Sequence, residues 1–268
     1  MIKNRIEIDN KTSTNKLSCS FNYMGKEELF EIVRNNPRLK YIQISKNLPR
    51  EALMTIDSIL EIRPDLIFRI YGMYSDGPFD ITRLFEMVNI KNLRLDLLEK
   101  PGYSRFINVS QLPKLKTINN LYLDVFGSVD LRFLNGFRDI NMLYLLIESG
   151  SPQIDLSFWK ETTLKNIELG KKAVEYAHLI KPKEDRQINK LVLFQSTIED
   201  LYFVQQLSIY ELCLINCKIK RQFFPNLNKS VNNLVLANCE YDRDFIDYFV
   251  GLDSLKILDR ATDLELLN

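Results

Sequence analysis

The chain has 268 residues, 46% of them hydrophobic and 26% charged, a balance that excludes intrinsic disorder and a collagen-like fibre. The 36 Lys and Arg against 35 Asp and Glu give a net charge of +1, so the overall basic excess of a nucleic-acid-binding protein is missing. No stretch approaches the roughly eighteen apolar residues of a membrane span, and Met1–Glu7 lacks the apolar segment of a signal peptide. We therefore expect a cytoplasmic protein that binds neither nucleic acid nor membrane.

The chain begins with Arg5–Asp9, whose alternating pattern predicts an extra strand that caps the first repeat of the chain. From residue 14 onward, aliphatic side chains recur at the first, fourth and sixth positions of a repeated segment. A clear copy is Ile209-x-x-Leu212-x-Leu214-x-x-Cys217. Eleven copies, two of them degenerate, begin near residues 14, 39, 66, 90, 118, 140, 164, 188, 209, 231 and 252.

The spacing of the aliphatic residues has a direct structural meaning. The fourth and sixth positions point to one side of a short strand, and the residues between them point to the other side. One repeat cannot bury its aliphatic side chains alone, whereas stacked copies bury them in a continuous core. The ninth position turns the chain, and an Asn or Cys side chain there can bond to the backbone of the turn.

The first repeats are longer than the others, and their second halves predict helices. Glu27–Asn35 and Pro49–Ile62 place apolar residues on one face and are followed by Pro. Asp80 can cap a third helix, which carries Leu84, Phe85 and Val88 as its apolar residues.

This pattern resembles the leucine-rich repeat family over roughly residues 14–260. The second halves of later copies, such as Val129–Phe137 and Ile154–Trp159, resemble the short-repeat, internalin-like subclass of bacterial proteins. The resemblance implies an α/β fold: a right-handed, horseshoe-shaped solenoid of about eleven repeats, with a parallel sheet on the concave face and helices and 3₁₀ turns on the convex face. We predict a single domain over residues 1–268, with a cap at 1–13, repeats at 14–258 and a C-terminal cap at 259–268.

Residues typical of catalysis or metal binding do not form a recognisable motif. His178 is the single histidine, so any Ser-His or Cys-His pair would have to use it, and we interpret it as an ordinary helix residue. The four cysteines lack the ligand spacing of a zinc site. Cys217 and Cys239 occupy ninth positions, and Cys213 is expected on the concave surface as the best thiol for labelling. We predict no catalytic residue, metal or cofactor, although the many carboxylates leave a carboxylate pair open.

The third, fifth and seventh positions point into the predicted concavity. They are rich in Tyr, Arg and Asp in the middle repeats and apolar in the C-terminal ones, as at Val192, Ile215 and Val235. Tyr and Arg are enriched at binding hot spots, and an exposed apolar patch marks a contact surface. The alternative is that neighbouring aromatic rings merely pack on one another. The predicted partner-binding residues are Tyr41, Arg69, Tyr71, Arg94, Asp96, Tyr122, Asp124, Tyr144 and Phe194.

The leading hypothesis for function is a non-catalytic module that binds a protein partner through its concave face and is monomeric when free. One version is an intracellular immunity protein, or inhibitor, that neutralises the toxin domain of a cognate bacterial toxin. The alternative is an adaptor or a secreted effector acting on host proteins. An enzyme is less favoured, because the pattern singles out no reactive centre.

Overall fold

A computed structural model describes residues 4–9, 18–20, 26–72, 77–156, 163–181, 186–220 and 230–258. The chain forms two compact units. The N-terminal unit comprises residues 1–140 and 150–153, and the C-terminal unit comprises residues 141–149 and 154–268. The predicted C-terminal cap at 259–268 lies outside the described residues, as do residues 14–17 and 21–25 of the repeat that begins at residue 14.

The N-terminal unit is built on a parallel sheet. Its strands are β1 (Arg5–Asp9), β2 (Ser18–Ser20), β3 (Tyr41–Ile44), β4 (Ile67–Ile70), β5 (Phe79–Asp80), β6 (Asn92–Lys100), β7 (Tyr103–Ser104), β8 (Phe106–Ile107) and β9 (Asn120–Gly127). The order across the sheet is β9-β6-β4-β3-β1-β2, and each of these neighbours is parallel. Strand β7 folds back antiparallel on β6, and β5 pairs with β8 separately.

The register of this sheet aligns the predicted core positions. Ile42 lies opposite Phe68, Phe68 opposite Leu93, and Leu93 opposite Leu121. All four side chains are fully buried. Because neighbouring strands lie ~4.8 Å apart, aliphatic side chains in register pack directly on one another. The predicted core is therefore confirmed here, including the degenerate copy that begins at residue 66.

The predicted strand at residues 5–9 is present, but it lies inside the sheet. It pairs with β3 on one side and with β2 on the other, so it does not lie outside the first repeat. Ile6 and Ile8 lie opposite Ile42 and Ile44, and both side chains are buried. The alternating aliphatic residues of β1 thus extend the core columns of β3, which explains its interior place.

Helices follow the strands of the N-terminal unit. Helix α1 spans Lys26–Asn35 and α2 spans Arg50–Ile62, each within one residue of its predicted start. Three 3₁₀ helices span Ile81–Glu86, Val109–Lys114 and Arg132–Gly136. The 3₁₀ turns implied by the family resemblance are therefore present.

The first 3₁₀ helix differs in detail from its prediction. Asp80 caps it as expected, since its Oδ1 accepts a hydrogen bond of 2.9 Å from a backbone N–H of the first turn. Phe85 and Val88, however, are 37% and 60% exposed, so their placement on the buried face was wrong. A 3₁₀ helix has three residues per turn, and the buried side chains accordingly recur three apart, at Leu84 and Met87.

The C-terminal unit repeats the same plan. Its strands are β10 (Met142–Ser149), β11 (Asn166–Lys171), β12 (Gln187–Phe194), β13 (Thr197–Ile198), β14 (Ser208–Ile215), β15 (Lys218–Ile219), β16 (Val231–Ala237) and β17 (Ser254–Leu258). The parallel order is β10-β11-β12-β14-β16-β17, and β13 pairs with β15. Three 3₁₀ helices span Lys172–Leu179, Tyr202–Gln206 and Arg243–Tyr248.

A continuous row of aliphatic side chains forms the core of this unit. The fourth positions of five successive strands lie opposite one another and are buried: Leu143, Ile167, Leu191, Leu212 and Leu234. At β17 the row becomes exposed, with Leu255 at 40% and Ile257 at 46%. The reason is that β17, among the described strands, pairs with β16 alone.

Left-handed residues end the strands of the later repeats. The backbone φ is +53° at Gln195 and Asn216 and +51° at Asn238, each in the eighth position of its repeat. The ninth-position thiols of Cys217 and Cys239 each lie within hydrogen-bond distance of two backbone carbonyls, one at the end of the preceding strand of the same repeat and one on the strand of the neighbouring repeat. The predicted role of the ninth position as a turn is therefore confirmed in these repeats.

Candidate functional site

The predicted binding residues lie on the sheet face opposite the core, which carries the third, fifth and seventh repeat positions and is called the non-core face below. Two of the nine, Tyr144 and Phe194, belong to the C-terminal unit. The other seven share the non-core face of the N-terminal unit: Tyr41, Arg69, Tyr71, Arg94, Asp96, Tyr122 and Asp124. Their register sets Arg69 opposite Arg94 and Asp96 opposite Asp124, so that like charges are neighbours.

Diagonal ion pairs compensate this repulsion between like charges. Arg69 donates through Nε and Nη2 to the two carboxylate oxygens of Asp96, at 3.0 and 2.7 Å. Arg94 donates in the same way to Asp124, at 2.6 and 2.9 Å. Each pair joins the fifth position of one strand to the seventh position of the next, and both carboxylates are buried. Bidentate pairing fixes the plane of each guanidinium group, so these side chains are ordered before any other protein binds.

A polar network continues from these ion pairs towards β1. Gln43 donates through Nε2 to the Tyr71 hydroxyl at 3.3 Å. Like the two ion pairs, this bond joins the fifth position of one repeat to the seventh position of the next. The Ser45 hydroxyl donates to the Glu7 carboxylate at 2.7 Å. The Arg69 guanidinium lies 5.0 Å from the centre of the Tyr71 ring, within reach of a cation–π contact. Burial, and then the hydrogen bond to Glu7, raise the pKa of Tyr71 to about 12, so its hydroxyl stays protonated at neutral pH.

Burial also affects the Asp124 carboxyl at the other end of this network. It raises the pKa of Asp124 above its ordinary value, and the ion pair with Arg94 opposes that effect. The neighbouring charge of Asp96 adds to the rise. The Arg94 guanidinium is therefore what favours a charged carboxylate at this place.

Gln43 is the site residue that sequence reasoning missed. Its side chain is 3% exposed, and its Oε1 has no hydrogen-bond partner among the described residues. A buried acceptor left unpaired costs about 1–3 kcal/mol, so its presence needs an explanation. Gln43 lies opposite Arg69 in the register. The one signal in the sequence was its fifth position, which it shares with Arg69 and Arg94.

The two predicted residues of the C-terminal unit form an aromatic pair. The ring centres of Tyr144 and Phe194 lie 5.4 Å apart, with their planes tilted by 34°. Gly170 stands opposite Phe194 in the register, and a Cβ atom at Gly170 would lie 2.2 Å from the Phe194 ring. The Phe194 ring therefore rests on a strand position that has no side chain. Tyr144 and Phe194 therefore pack on each other, as the alternative to partner binding predicts for neighbouring aromatic rings.

The exposed apolar patch expected in the C-terminal repeats is a buried cluster instead. Val192, Cys213 and Val235 are each at most 5% exposed, and Phe194 and Ile215 pack against them half-buried. Side chains at matching positions of strands ~4.8 Å apart cover one another. The alternation of residues within a single strand does not reveal this mutual burial. The patch is thus no free contact surface.

The labelling prediction for Cys213 was wrong for the same reason. Its side chain is fully buried, and its Sγ donates to a Glu211 oxygen at 3.4 Å. Burial first, and then the nearby Glu211 charge, raise the pKa of Cys213 to about 12. At neutral pH it is therefore a protonated, shielded thiol with little reactivity.

A cleft of about 390 Å³ in the C-terminal unit contains the single histidine of the chain. Its lining includes Glu175, Asp200 and Tyr202, but no described Ser or Cys that could act as a nucleophile with His178. His178 is exposed, and its Nδ1 lies 2.8 Å from the Glu175 carbonyl oxygen. Over the described part of the chain, no group of three His, Cys, Asp or Glu side chains is placed to hold a metal ion, and no helix is long and apolar enough to cross a bilayer.

One strand per repeat, with aligned aliphatic positions and 3₁₀ helices between the strands, decides the fold of each unit. The chain folds as a leucine-rich-repeat protein. No protein-family model matches this leucine-rich-repeat chain, and no curated protein matches it closely.

Solved structures of two internalins are among those similar to this chain. An internalin C2 from Listeria monocytogenes is 18% identical, with a TM-score of 0.38 over 71% of this chain and 84% of that one. The internalin InlF from the same organism is 14% identical, with a TM-score of 0.36 over 85% of this chain and 70% of that one. The fold assignment rests on the repeats and strand register of this chain itself.

Proposed function

We propose that this protein is a non-catalytic binding module whose protein partner docks on the non-core face of the N-terminal unit. The observation that carries the proposal is the group of half-buried Arg69, Tyr71 and Arg94 side chains, each already held by another side chain of the same face. Their guanidinium groups and ring are therefore in place before a partner arrives.

The order of this face supports tight binding. Arg69 and Arg94 are fixed by two hydrogen bonds each, so little side-chain entropy remains to be lost when a partner contacts them. Tyr and Arg side chains supply large contact areas with defined polar ends, which is why they dominate binding hot spots. A partner with hydrogen-bond acceptors for the guanidinium groups and apolar groups for the tyrosine rings would complement this face.

The specific version that we propose is an intracellular immunity protein that is monomeric when free and neutralises a cognate toxin in the cytoplasm. Its support is the combination of a preorganised recognition face with the lack of a reactive centre in the repeat pattern. An inhibitor of this kind needs a rigid complementary surface and no chemistry of its own.

The test starts from the partner itself. The tagged protein is used to isolate a stoichiometric partner from the source cell, and the purified pair is then measured by isothermal titration calorimetry. Tyr122→Ala should weaken binding by about 2 kcal/mol, because a central aromatic ring of the interface is lost. Gln43→Met, which keeps the side-chain length but removes the hydrogen bond to the Tyr71 hydroxyl, should also weaken binding because that ring is then less well held.

The matched control is Tyr202→Ala, which removes a 45% exposed ring from a 3₁₀ helix of the other unit. It should bind like wild type. Equal affinities of Tyr122→Ala, Gln43→Met and wild type would show that the partner uses another surface. A toxin as the isolated partner supports the immunity role, and host proteins as partners contradict it.

A further inference from the structure

Two cysteines stand side by side in adjacent repeats of the C-terminal unit. Ile215 and Ala237 are register partners at the ends of β14 and β16, and Cys217 and Cys239 follow two residues later on each chain segment. The two turns are held together by backbone, since the N–H of Glu240 donates to the Cys217 carbonyl at 2.9 Å. The two cysteines are therefore neighbours across the stacked repeats.

The two thiols have equivalent surroundings. The Cys217 Sγ donates to the Leu193 carbonyl at 3.4 Å, and the Cys239 Sγ donates to the Leu214 carbonyl at 3.2 Å. The two thiols differ in access, because Cys217 is 3% exposed whereas Cys239 is half-buried. The Cys239 sulfur is therefore the one that a reagent in solution can reach, whereas the Cys217 sulfur is shielded.

We propose that Cys217 and Cys239 form a reversible disulfide, with a small-molecule disulfide such as oxidised glutathione as the oxidant. The Glu240–Cys217 hydrogen bond and the Lys218–Glu240 bridge continue the strand spacing of ~4.8 Å into the two turns. A Cα separation of that order lies inside the range of about 4.4–6.8 Å that a disulfide requires. The bond would join the repeats that begin at residues 209 and 231. This site is separate from the proposed binding face, so the two proposals stand or fail independently.

The order of the two steps follows from access and from the effect of one thiol on the other. The neighbouring Cys217 thiol lowers the pKa of Cys239, which favours the thiolate at the more exposed sulfur. This thiolate attacks one sulfur of oxidised glutathione, so a mixed disulfide forms on Cys239 and one glutathione thiolate leaves.

The second step completes the oxidation. Cys217 loses its proton to water and attacks the Cys239 sulfur of the mixed disulfide, and the second glutathione thiolate leaves. The protein loses two electrons and two protons, and oxidised glutathione is reduced to two glutathione molecules. Cys213 takes no part, because it packs in the cluster with Val192 and Val235 and not beside Cys239.

The test uses the full reduced chain in the folded state, with oxidised glutathione at pH 7.5. After alkylation of the remaining thiols, peptide mapping should find Cys217 linked to Cys239, with Cys213 alkylated only after unfolding. Cys217→Ser should stop at the first step and carry one glutathione on Cys239. Cys239→Ser should react at least about tenfold more slowly, because the accessible thiolate is gone.

The control variant is Cys213→Ser, which should form the disulfide at the wild-type rate. Dithiothreitol should reverse the oxidation, and the oxidised protein should show a higher urea midpoint than the reduced protein because the cross-link restricts the unfolded chain. The proposal is overturned if mapping finds another pairing, if Cys217→Ser accumulates no mixed disulfide, or if the native pair stays reduced while the unfolded chain oxidises. Circular dichroism spectra identical to wild type establish that the Ser variants are folded.

Discussion

At the scale of single residues, the buried carboxylates of the N-terminal unit depend on their arginines. The Asp124 side chain is 6% exposed, and its two oxygens accept from Arg94. Removing the cation from such a pair leaves a buried charge without compensation, whereas removing one partner of an exposed pair changes little. The chain contains both kinds of pair, because Lys218 and Glu240 are 64% and 76% exposed.

The first prediction compares these two pairs. Arg94→Met should lower the free energy of unfolding by about 3 kcal/mol, since Asp124 is left buried and unpaired. Lys218→Met, which removes a cation from the exposed pair, should lower it by less than about 0.5 kcal/mol. Urea denaturation at pH 7 measures both. Similar losses in the two variants would mean that the Arg94–Asp124 pair is solvated and adds nothing special to the ordered face.

Glu168 provides a pH-dependent prediction at the same scale. Burial raises the pKa of this carboxyl in the folded protein, and Lys190 opposes the effect. In the pH interval between the ordinary pKa and the raised one, the folded state holds a proton that the unfolded chain has lost. Stability contributed by this group is therefore present at low pH and lost as pH rises through that interval.

The second prediction follows from that sign. Glu168→Gln removes the titration but keeps the shape, so the variant should gain stability relative to wild type as pH rises from 4 to 7. Urea denaturation at several pH values measures the difference. Glu175→Gln, at an exposed position of a 3₁₀ helix, is the matched variant that makes the same chemical change without the burial. A difference between Glu168→Gln and wild type that does not change with pH would contradict the burial effect.

At the scale of elements, the missing side chain at Gly170 determines how β11 and β12 pack. A Cβ atom there would lie 2.2 Å from the Phe194 ring and 2.6 Å from the Leu146 side chain. An added methyl group must therefore displace the ring from its place beside Tyr144. Overpacking of this kind costs about 1–3 kcal/mol.

The third prediction is a double-mutant cycle on this contact. Gly170→Ala should destabilise the wild type by about 2 kcal/mol and should cost much less in a Phe194→Ala background, because the clashing ring is then absent. Urea denaturation of the four proteins gives the coupling energy. If the methyl group costs the same in both backgrounds, the ring does not rest on Gly170.

The elements also show what the sequence could specify. The aliphatic positions predicted the strands and their register, because two buried side chains at a period of two define both a strand and its inward face. The pattern could not distinguish a 3₁₀ helix from an α-helix, so Phe85 and Val88 were assigned to the wrong side. It also gave no indication that β1 pairs between β2 and β3, since Ile6 and Ile8 suit an edge or an interior place equally well.

The candidate site was less predictable than the strands. The position of a residue within its repeat identified which side chains share a face of the sheet. It did not identify which of them cover one another, and for that reason Cys213 was expected at the surface. The pairing of Arg69 with Asp96 depends on how far a side chain of one strand extends towards the next strand. The spacing of residues within one repeat carries no information about that distance. The unpaired Oε1 of Gln43 is a property of its neighbours and has no sequence signal of its own.

At the scale of the whole molecule, the repeat spacing predicts one domain. The copies that begin at residues 118, 140 and 164 continue at the usual interval across residues 141–149, so the sequence gives no sign of a linker. Stacked repeats unfold together when each stabilises its neighbours, and separately when that coupling is weak. The number of unfolding transitions therefore tests the single-domain prediction directly.

The fourth prediction is a single cooperative unfolding transition for the chain. Leu121→Ala in the N-terminal unit and Leu212→Ala in the C-terminal unit each remove a fully buried side chain, at a cost of about 2–5 kcal/mol. If the chain is one domain, both variants should shift the same urea transition, followed by far-ultraviolet circular dichroism, to lower concentration without splitting it. Two transitions, each moved by only one of the variants, would mean that the two units fold as separate domains despite the unbroken repeat.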